Sequence, residues 1–139
     1  MIEQQLLNNG ITIKKDIYPE PLYILCDSIK IEQVFLNLLS NARYVLTNCN
    51  KTDKTLSIKT QQNCDQVEII ITDNGQGIPN ENMEKIFNPF FTIKEPGQGT
   101  GLGLSISKKI IDEHKGKIEV SSEYGLYTTF KITFPIIKK

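Results

Sequence analysis

Residues 66–73, QVEIIITD, set the tightest limit on the fold. Val67 and three consecutive isoleucines make it so nearly continuously apolar that it reads as a strand in the middle of a covered sheet. Such a strand needs a neighbour on each side and a layer to cover it. TLSIKT (55–60) offers one neighbour. KIEVSS (117–122) and LYTTFKITF (126–134) read as an antiparallel hairpin turning at Glu123, Tyr124 and Gly125, with Leu126, Thr128, Phe130, Ile132 and Phe134 along one side. ITIKKDI (11–17) alternates Ile11, Ile13 and Ile17 as a half-buried strand that Pro19 and Pro21 bring to an end.

The covering layer is equally explicit. From Ile29 to Leu46 the apolar residues Ile31, Val34, Phe35, Leu38, Leu39, Ala42, Val45 and Leu46 recur at three and four, with Asp27 or Ser28 available to cap the first turn. GLSISKKIIDEHKG (103–116) is a second helix, with Gly116 as its stop. IEQQLLNNG (2–10) reads as a short helix stopped by Gly10, and ENMEKIF (81–87) as a short helical stretch. Helices among mostly antiparallel strands pack most simply on one face of one sheet. The expected fold is therefore a two-layer α/β sandwich with a mixed, mostly antiparallel sheet.

The 139 residues fit one domain. Lysine plus arginine equals aspartate plus glutamate at 16 each, and the pI is near 6.6, so no electrostatic field favours nucleic acid or an anionic membrane surface. Local sites must carry function. Cys26, Cys49 and Cys64 follow no metal or disulfide spacing, which fits a reducing compartment. The N-terminal stretch lacks the pattern of a signal peptide, and no run reaches the ~18 apolar residues of a membrane span. The interval from Asn74 to Gly103 is rich in glycine, proline and asparagine, and loops of that length in compact domains are usually functional or mobile.

Three stretches could hold a ligand. Gln33, Asn37, Asn41 and Tyr44 form a polar stripe beside the apolar one on the long helix. It is either a solvated face or the wall of a cleft, where an asparagine oxygen suits a magnesium ion otherwise held by water and phosphate. Asp73, ending the most buried strand, is followed by Gly75 and Gly77 in DNGQGIP. That is either a hairpin turn or a pocket with bare backbone walls, whose carboxylate would accept a hydrogen bond from an exocyclic amino group such as adenine's. Gly97, Gly99, Gly101 and Gly103 run into the second helix, where free amides and the positive dipole end suit phosphate, although a floppy loop explains them equally. Phe87, Phe90 and Phe91 are either core or surface that a closing loop covers, and Lys94 could bring charge to a terminal phosphate. His114, the single histidine, sits at a helix end beside a glycine and reads as structural.

Taken together, QVFLNLLSNA, DNGQGIP, IFNPFFTIK and GQGTGLGLSI resemble the N, G1, F and G2 boxes of the catalytic and ATP-binding domain of sensor histidine kinases, and HKGKIEVSSEYGLYTTFKITFP is similar to its closing strands. The resemblance covers nearly all of residues 1–139 and implies the Bergerat fold of the GHKL group, with an ATP lid at about 79–100. It implies Asn41 as the magnesium ligand and Asn37 as its partner one turn earlier. Asp73 falls at the adenine-binding aspartate, with Gly75, Gly77 and Ile78 shaping that pocket and Tyr44 beside it. Gly99, Thr100, Gly101, Leu102 and Gly103 fall at the phosphate-facing run, Phe90, Phe91 and Thr92 in the lid's aromatic box, and Lys94 at the lid lysine.

The function so implied is transfer of the γ-phosphoryl group of Mg-ATP to a histidine on a dimerisation domain, with a response regulator downstream. The hydrolytic relatives of this group, topoisomerases and heat-shock chaperones, carry a glutamate where Asn37 stands. An amide has no useful basicity, so ATP is expected to be held without ready hydrolysis, and Asn37 and Lys94 are the expected catalytic residues. No phosphoacceptor histidine motif is present, so the chain is expected to be a fragment or a kinase half acting on a separate acceptor. The domain is expected to face the cytoplasm whether or not the parent kinase is anchored in a membrane. Two alternatives share the fold: a stand-alone serine kinase of anti-sigma type and a non-catalytic ATP sensor. Two positions depart from the family pattern, Arg43 with Tyr44 after the metal asparagine, and Tyr127 in place of the hairpin glycine.

Overall fold

The computed structural model describes residues 10–89, 91 and 103–136. Five strands form one sheet: β1 (Thr12–Asp16), β2 (Thr55–Asn63), β3 (Gln66–Asp73), β4 (Lys117–Glu123) and β5 (Tyr127–Pro135), in the spatial order β1-β2-β3-β5-β4. The isoleucine-rich strand is the middle one. β1 runs parallel to β2 and every other pairing is antiparallel, so the sheet is mixed, as expected.

The registers place Asp73, Ile71, Ile69 and Val67 of β3 in line with Thr128, Phe130, Ile132 and Phe134 of β5, all on one face. The helices α1 (Ser28–Thr47) and α2 (Gly103–Glu113) cover it. Ile31, Val34, Leu38, Ala42 and Leu46 of α1 and Ile110 and Ile111 of α2 share one core with Ile71, Phe130, Ile132 and Phe134. The opposite face is more polar. It carries Thr72, whose hydroxyl lies 3.0 Å from that of Thr129, and Glu68, which pairs with Lys131 at 2.9 Å and accepts from Gln61 at 2.6 Å. Polar cross-strand partners replace a second layer there.

The ends of the helices have local causes. Asp27, not Ser28, caps α1 by accepting from the amides of Ile29 and Lys30. At the end of α2 the left-handed residue is Lys115 at φ 60°, whereas Gly116 was expected to be the stop. Lys115 donates to the Asp112 carbonyl and Gly116 to that of Ile111, the paired bonds of a Schellman ending. Gly116 is a glycine for another reason, since a Cβ there would stand 2.6 Å from the Thr133 carbonyl oxygen. His114 has the structural role expected of it. Its Nδ1 donates to the Ile110 carbonyl at 2.7 Å and its Nε2 accepts from the Asp27 amide at 3.0 Å, tying the end of α2 to the start of α1.

Other expectations are revised. ENMEKIF is helical only at its start: a 3-10 helix at Asn80–Asn82 gives way to turns, with Ile86 buried and Phe87 packed edge-on against Phe130 at a ring-centroid distance of 6.5 Å. Leu126 leaves the row of inward residues and is 55% exposed in the β4–β5 turn. Ile17 lies beyond β1 and is exposed. The helix expected over 2–10 falls outside the described residues except for Gly10. No helix among the described residues is long and apolar enough to cross a membrane.

Candidate functional site

Asp73 is the last residue of β3, flanked in register by Leu56 and Thr128. Strand alternation turns its carboxylate toward α1, where it is only 6% exposed. Burial is the largest influence on it and pushes the carboxyl up to about 6 from 3.8. Two weaker effects oppose that: the Gly75 amide donates to Oδ1 at 3.0 Å, and the Lys51 ammonium adds positive charge. A buried acid that still titrates near neutrality, at the end of a strand, is a recurrent mark of a binding or catalytic site.

The DNGQGIP segment is not a hairpin turn, since β3 pairs with β2 and β5 and the segment runs on into a 3-10 turn. Asn74 folds it back, accepting from the Thr55 amide at 2.8 Å and donating its side-chain amide to the Asp53 carbonyl. A Cβ on Gly75 would meet Val45 Cγ1 of α1 at 2.4 Å. Gly77, at φ +75°, lies against the β4–β5 turn so closely that a Cβ would stand 2.4 Å from the Glu123 carbonyl oxygen. Both glycines are therefore required by close approach, the second by conformation also. Ile78 is buried, and its amide donates to Ser122 Oγ at 2.8 Å. That hydroxyl donates in turn to the Tyr127 carbonyl at 2.7 Å and lies 3.2 Å from Thr128 Oγ1.

The stripe on α1 leads from this pocket to the start of α2. Asn37, Asn41 and Tyr44 are half-buried, whereas Gln33 at the far end of the stripe is exposed to solvent. The Asn37 amide nitrogen donates to Ser107 Oγ of α2 at 3.4 Å, and a Cβ on Gly103 would stand 3.9 Å from Asn37 Cγ. Between Val45, beside the Asp73 pocket, and Asn37, beside the first turn of α2, the helix rises about 12 Å. The first turn of α2, the positive end of its dipole, stands at the Asn37 end of that span. The Asn41 amide lies between the two ends. Its oxygen is a hard neutral donor that fits a magnesium ion completed by water and phosphate oxygens, so the residues present are compatible with that ion.

Of the expected site residues, Asp73 meets Gly75, Gly75 meets Val45 of α1, Gly77 meets Glu123, and Asn37 meets Gly103 and Ser107 of α2, while Asn41 and Tyr44 stand between Asn37 and Val45 on α1. Phe91 is half-buried and packs against the core, as does Phe87, which favours the core reading for those two rings. Phe90, Thr92, Lys94, Gly97, Gly99, Thr100, Gly101 and Leu102 lie outside the described residues. Arg43 is half-buried on the same helix.

Sequence reasoning missed Thr128, Ser122, Ser107 and Lys51. Thr128 is 5% exposed beside Asp73. Its signal was legible, for it is the one polar member among the inward residues of β5. Ser107, fully buried in α2, interrupts the apolar spacing of its helix in the same way. Lys51 had no signal at all, because what it binds is backbone.

Comparison with known proteins places these features in a family. The family model described as histidine kinase-, DNA gyrase B-, and HSP90-like ATPase matches residues 26–138. The sensory histidine kinase/phosphatase NtrB of Vibrio alginolyticus is 40% identical over 137 residues, covering 93% of this chain and 38% of that protein. Sporulation kinase E of Bacillus subtilis is 35% identical, covering 98% of this chain and 18% of its own. The chain therefore spans well under half the length of these curated relatives. Among solved structures, the nucleotide-free catalytic domain of histidine kinase ThkA superposes with a TM-score of 0.81 at 33% identity, covering 96% of this chain and 86% of that one. A structure of ThkA in complex with the response regulator protein TrrA gives 0.77 at 30% identity, covering 98% and 37%.

Proposed function

The chain belongs to the histidine kinase-, DNA gyrase B-, and HSP90-like ATPase family, and from that premise we propose that it is the ATP-binding catalytic domain of a two-component sensor histidine kinase. The observation that carries this reading is the buried Asp73 at the end of the middle strand, walled by Gly75 and Gly77 and joined to the start of α2 by the asparagine stripe.

Asp73 accepts a hydrogen bond from the exocyclic amino group of adenine, and the hydroxyl of Thr128 lies beside it. A base presenting a carbonyl at that edge would leave a buried charge unpaired, a larger loss than one net hydrogen bond of about 1 kcal/mol. Asn41 would hold the magnesium ion, which would supply charge neutralisation at the phosphates. The first turn of α2, opening at Gly103 after Gly99, Thr100, Gly101 and Leu102, offers amides to the phosphates, and Lys94 supplies a positive charge at the terminal one.

In the transfer, a nitrogen lone pair of the acceptor imidazole forms the new bond to γ-phosphorus while the bond to the β-phosphate oxygen breaks and ADP departs. Asn37 offers no base to activate water, so hydrolysis is slow and the phosphoryl group waits for the acceptor. Positioning and charge neutralisation are what the domain contributes. The acceptor is a dimerisation domain carrying a histidine, and a response regulator follows, by analogy with the ThkA complex containing TrrA. The domain works in the cytoplasm, where ATP is supplied.

Incubating the chain with γ-labelled ATP and a histidine-bearing dimerisation domain tests this reading. Acid-labile, alkali-stable label on the dimerisation domain is expected. Acid-stable phosphoserine on another protein would make it a serine kinase, and tight ATP binding without any transfer would make it a sensor.

A further inference from the structure

Lys51 lies in the loop between α1 and β2, outside every stretch that resembles a nucleotide-binding box. Its ammonium donates to the carbonyl of Gly75 at 3.0 Å and to that of Leu126 at 3.1 Å. Those carbonyls belong to two separate walls of the Asp73 pocket, the loop after β3 and the β4–β5 turn. The walls also meet where the Gly125 amide donates to the Gln76 carbonyl and where Gly77 lies against Glu123. Lys51 is thus a cation held between two backbone oxygens of opposite walls.

Its charge reaches the carboxylate as well. Leu56 and Thr128 flank Asp73 in the sheet and Gly75 covers it, all uncharged. Among the described residues Lys51 is the one charged side chain acting on Asp73. An ionised carboxylate only accepts hydrogen bonds, whereas a protonated one can donate and would tolerate a base carbonyl.

We propose that Lys51 is a positioning residue for base recognition: it clamps the Gly75 loop to the Leu126 turn and brings its positive charge to bear on the Asp73 carboxylate. This rests on the reading of the pocket as an adenine site. Without the nearby cation, burial acts on Asp73 with less opposition and its titration moves toward neutral pH.

The test uses the whole 139-residue chain as wild type, K51M and K51R. The Asp73 carboxyl is titrated by carbon NMR in the ligand-free proteins, and binding of a nonhydrolysable ATP analogue is measured at pH 6 and pH 8. K51M is expected to raise the Asp73 midpoint, and so to weaken binding relative to wild type more at pH 6 than at pH 8. K51R, which keeps the charge, is expected to restore both readouts. An unmoved Asp73 midpoint in K51M would overturn the proposal, as would a loss of affinity equal at the two pH values. If the wild type binds no analogue at either pH the adenine reading falls, and the ligand-free titration still decides the effect of Lys51 on Asp73.

Discussion

Replacing Asp73 with asparagine separates what the pocket costs the fold from what it does for a ligand. Burial raises the carboxyl from 3.8 to about 6. Below pH 3.8 the group is protonated in both folded and unfolded chains and makes no difference. Between those values the unfolded chain has released its proton while the folded one keeps it, so stability falls as pH rises. Above about pH 6 both are ionised and the whole deficit persists, about 3 kcal/mol. Asparagine has no charge to desolvate, and its oxygen can still accept from the Gly75 amide. Its new NH₂ group needs a partner near Thr128, and leaving it without one would cost about 1–3 kcal/mol at every pH. That cost does not vary with pH, so the pH-dependent part reports the carboxyl alone. Urea unfolding of both proteins at pH 4, 6 and 8 is expected to show the stability of D73N relative to wild type growing by about 2–3 kcal/mol across the range, with unchanged m. A difference constant between pH 4 and pH 8 would refute the argument from desolvation. The same variant is expected to lose most adenine nucleotide binding by calorimetry at pH 8, so that a more stable protein is a non-binding one.

The β4–β5 contact gives a second prediction. Gly77→Ala combines positive φ with a collision against the Glu123 carbonyl and is expected to cost roughly 2–4 kcal/mol, whereas Gly125→Ala, at φ +90° in open space, costs roughly 1–2. Equal losses in thermal unfolding would contradict the close approach. Asn41→Ala is expected to abolish the dependence of nucleotide affinity on magnesium, and a dependence left intact in calorimetry would remove its metal role. On the open face, Glu68 is 3% exposed under Lys131, Gln61 and Asn63, and the Gln61 hydrogen bond followed by that of Lys131 holds its carboxyl below 4.5. Lys131→Met is expected to cost little, well below the cost of breaking a fully buried pair, because Lys131 is well exposed and Gln61 and Asn63 still donate. That contribution is present above pH 4.5 and vanishes as acid protonates Glu68. A loss persisting at pH 3 would argue against the ion pair.

Some of this molecule is written locally and some is not. Periodicity gave α1 and the strand 66–73 almost to the residue, because a 3.6-residue stripe and an unbroken apolar run each bury in one way. Asp73, Gly75 and Gly77 were legible as a unit since a carboxylate and two bare backbone positions follow a buried strand. The stretch 81–87 misled beyond its start, where turns follow with Ile86 buried and Phe87 packed on Phe130. Gly116 was assigned to a helix stop on sound local grounds, yet its constraint comes from β5, nearly twenty residues further along the chain.

The amino-acid sequence by itself determined the element order, the apolar faces and the run of candidate nucleotide residues, because these depend on spacing within single elements. Tertiary structure alone decided that Thr128 stands beside Asp73, that Asn37 meets Ser107 and Gly103, and that Lys51 spans Gly75 and Leu126. Those contacts join residues from about 25 to 75 positions apart, many of them through backbone atoms that every residue possesses. A carbonyl oxygen leaves no mark in the sequence, so its partner becomes visible only when the chain has folded around it.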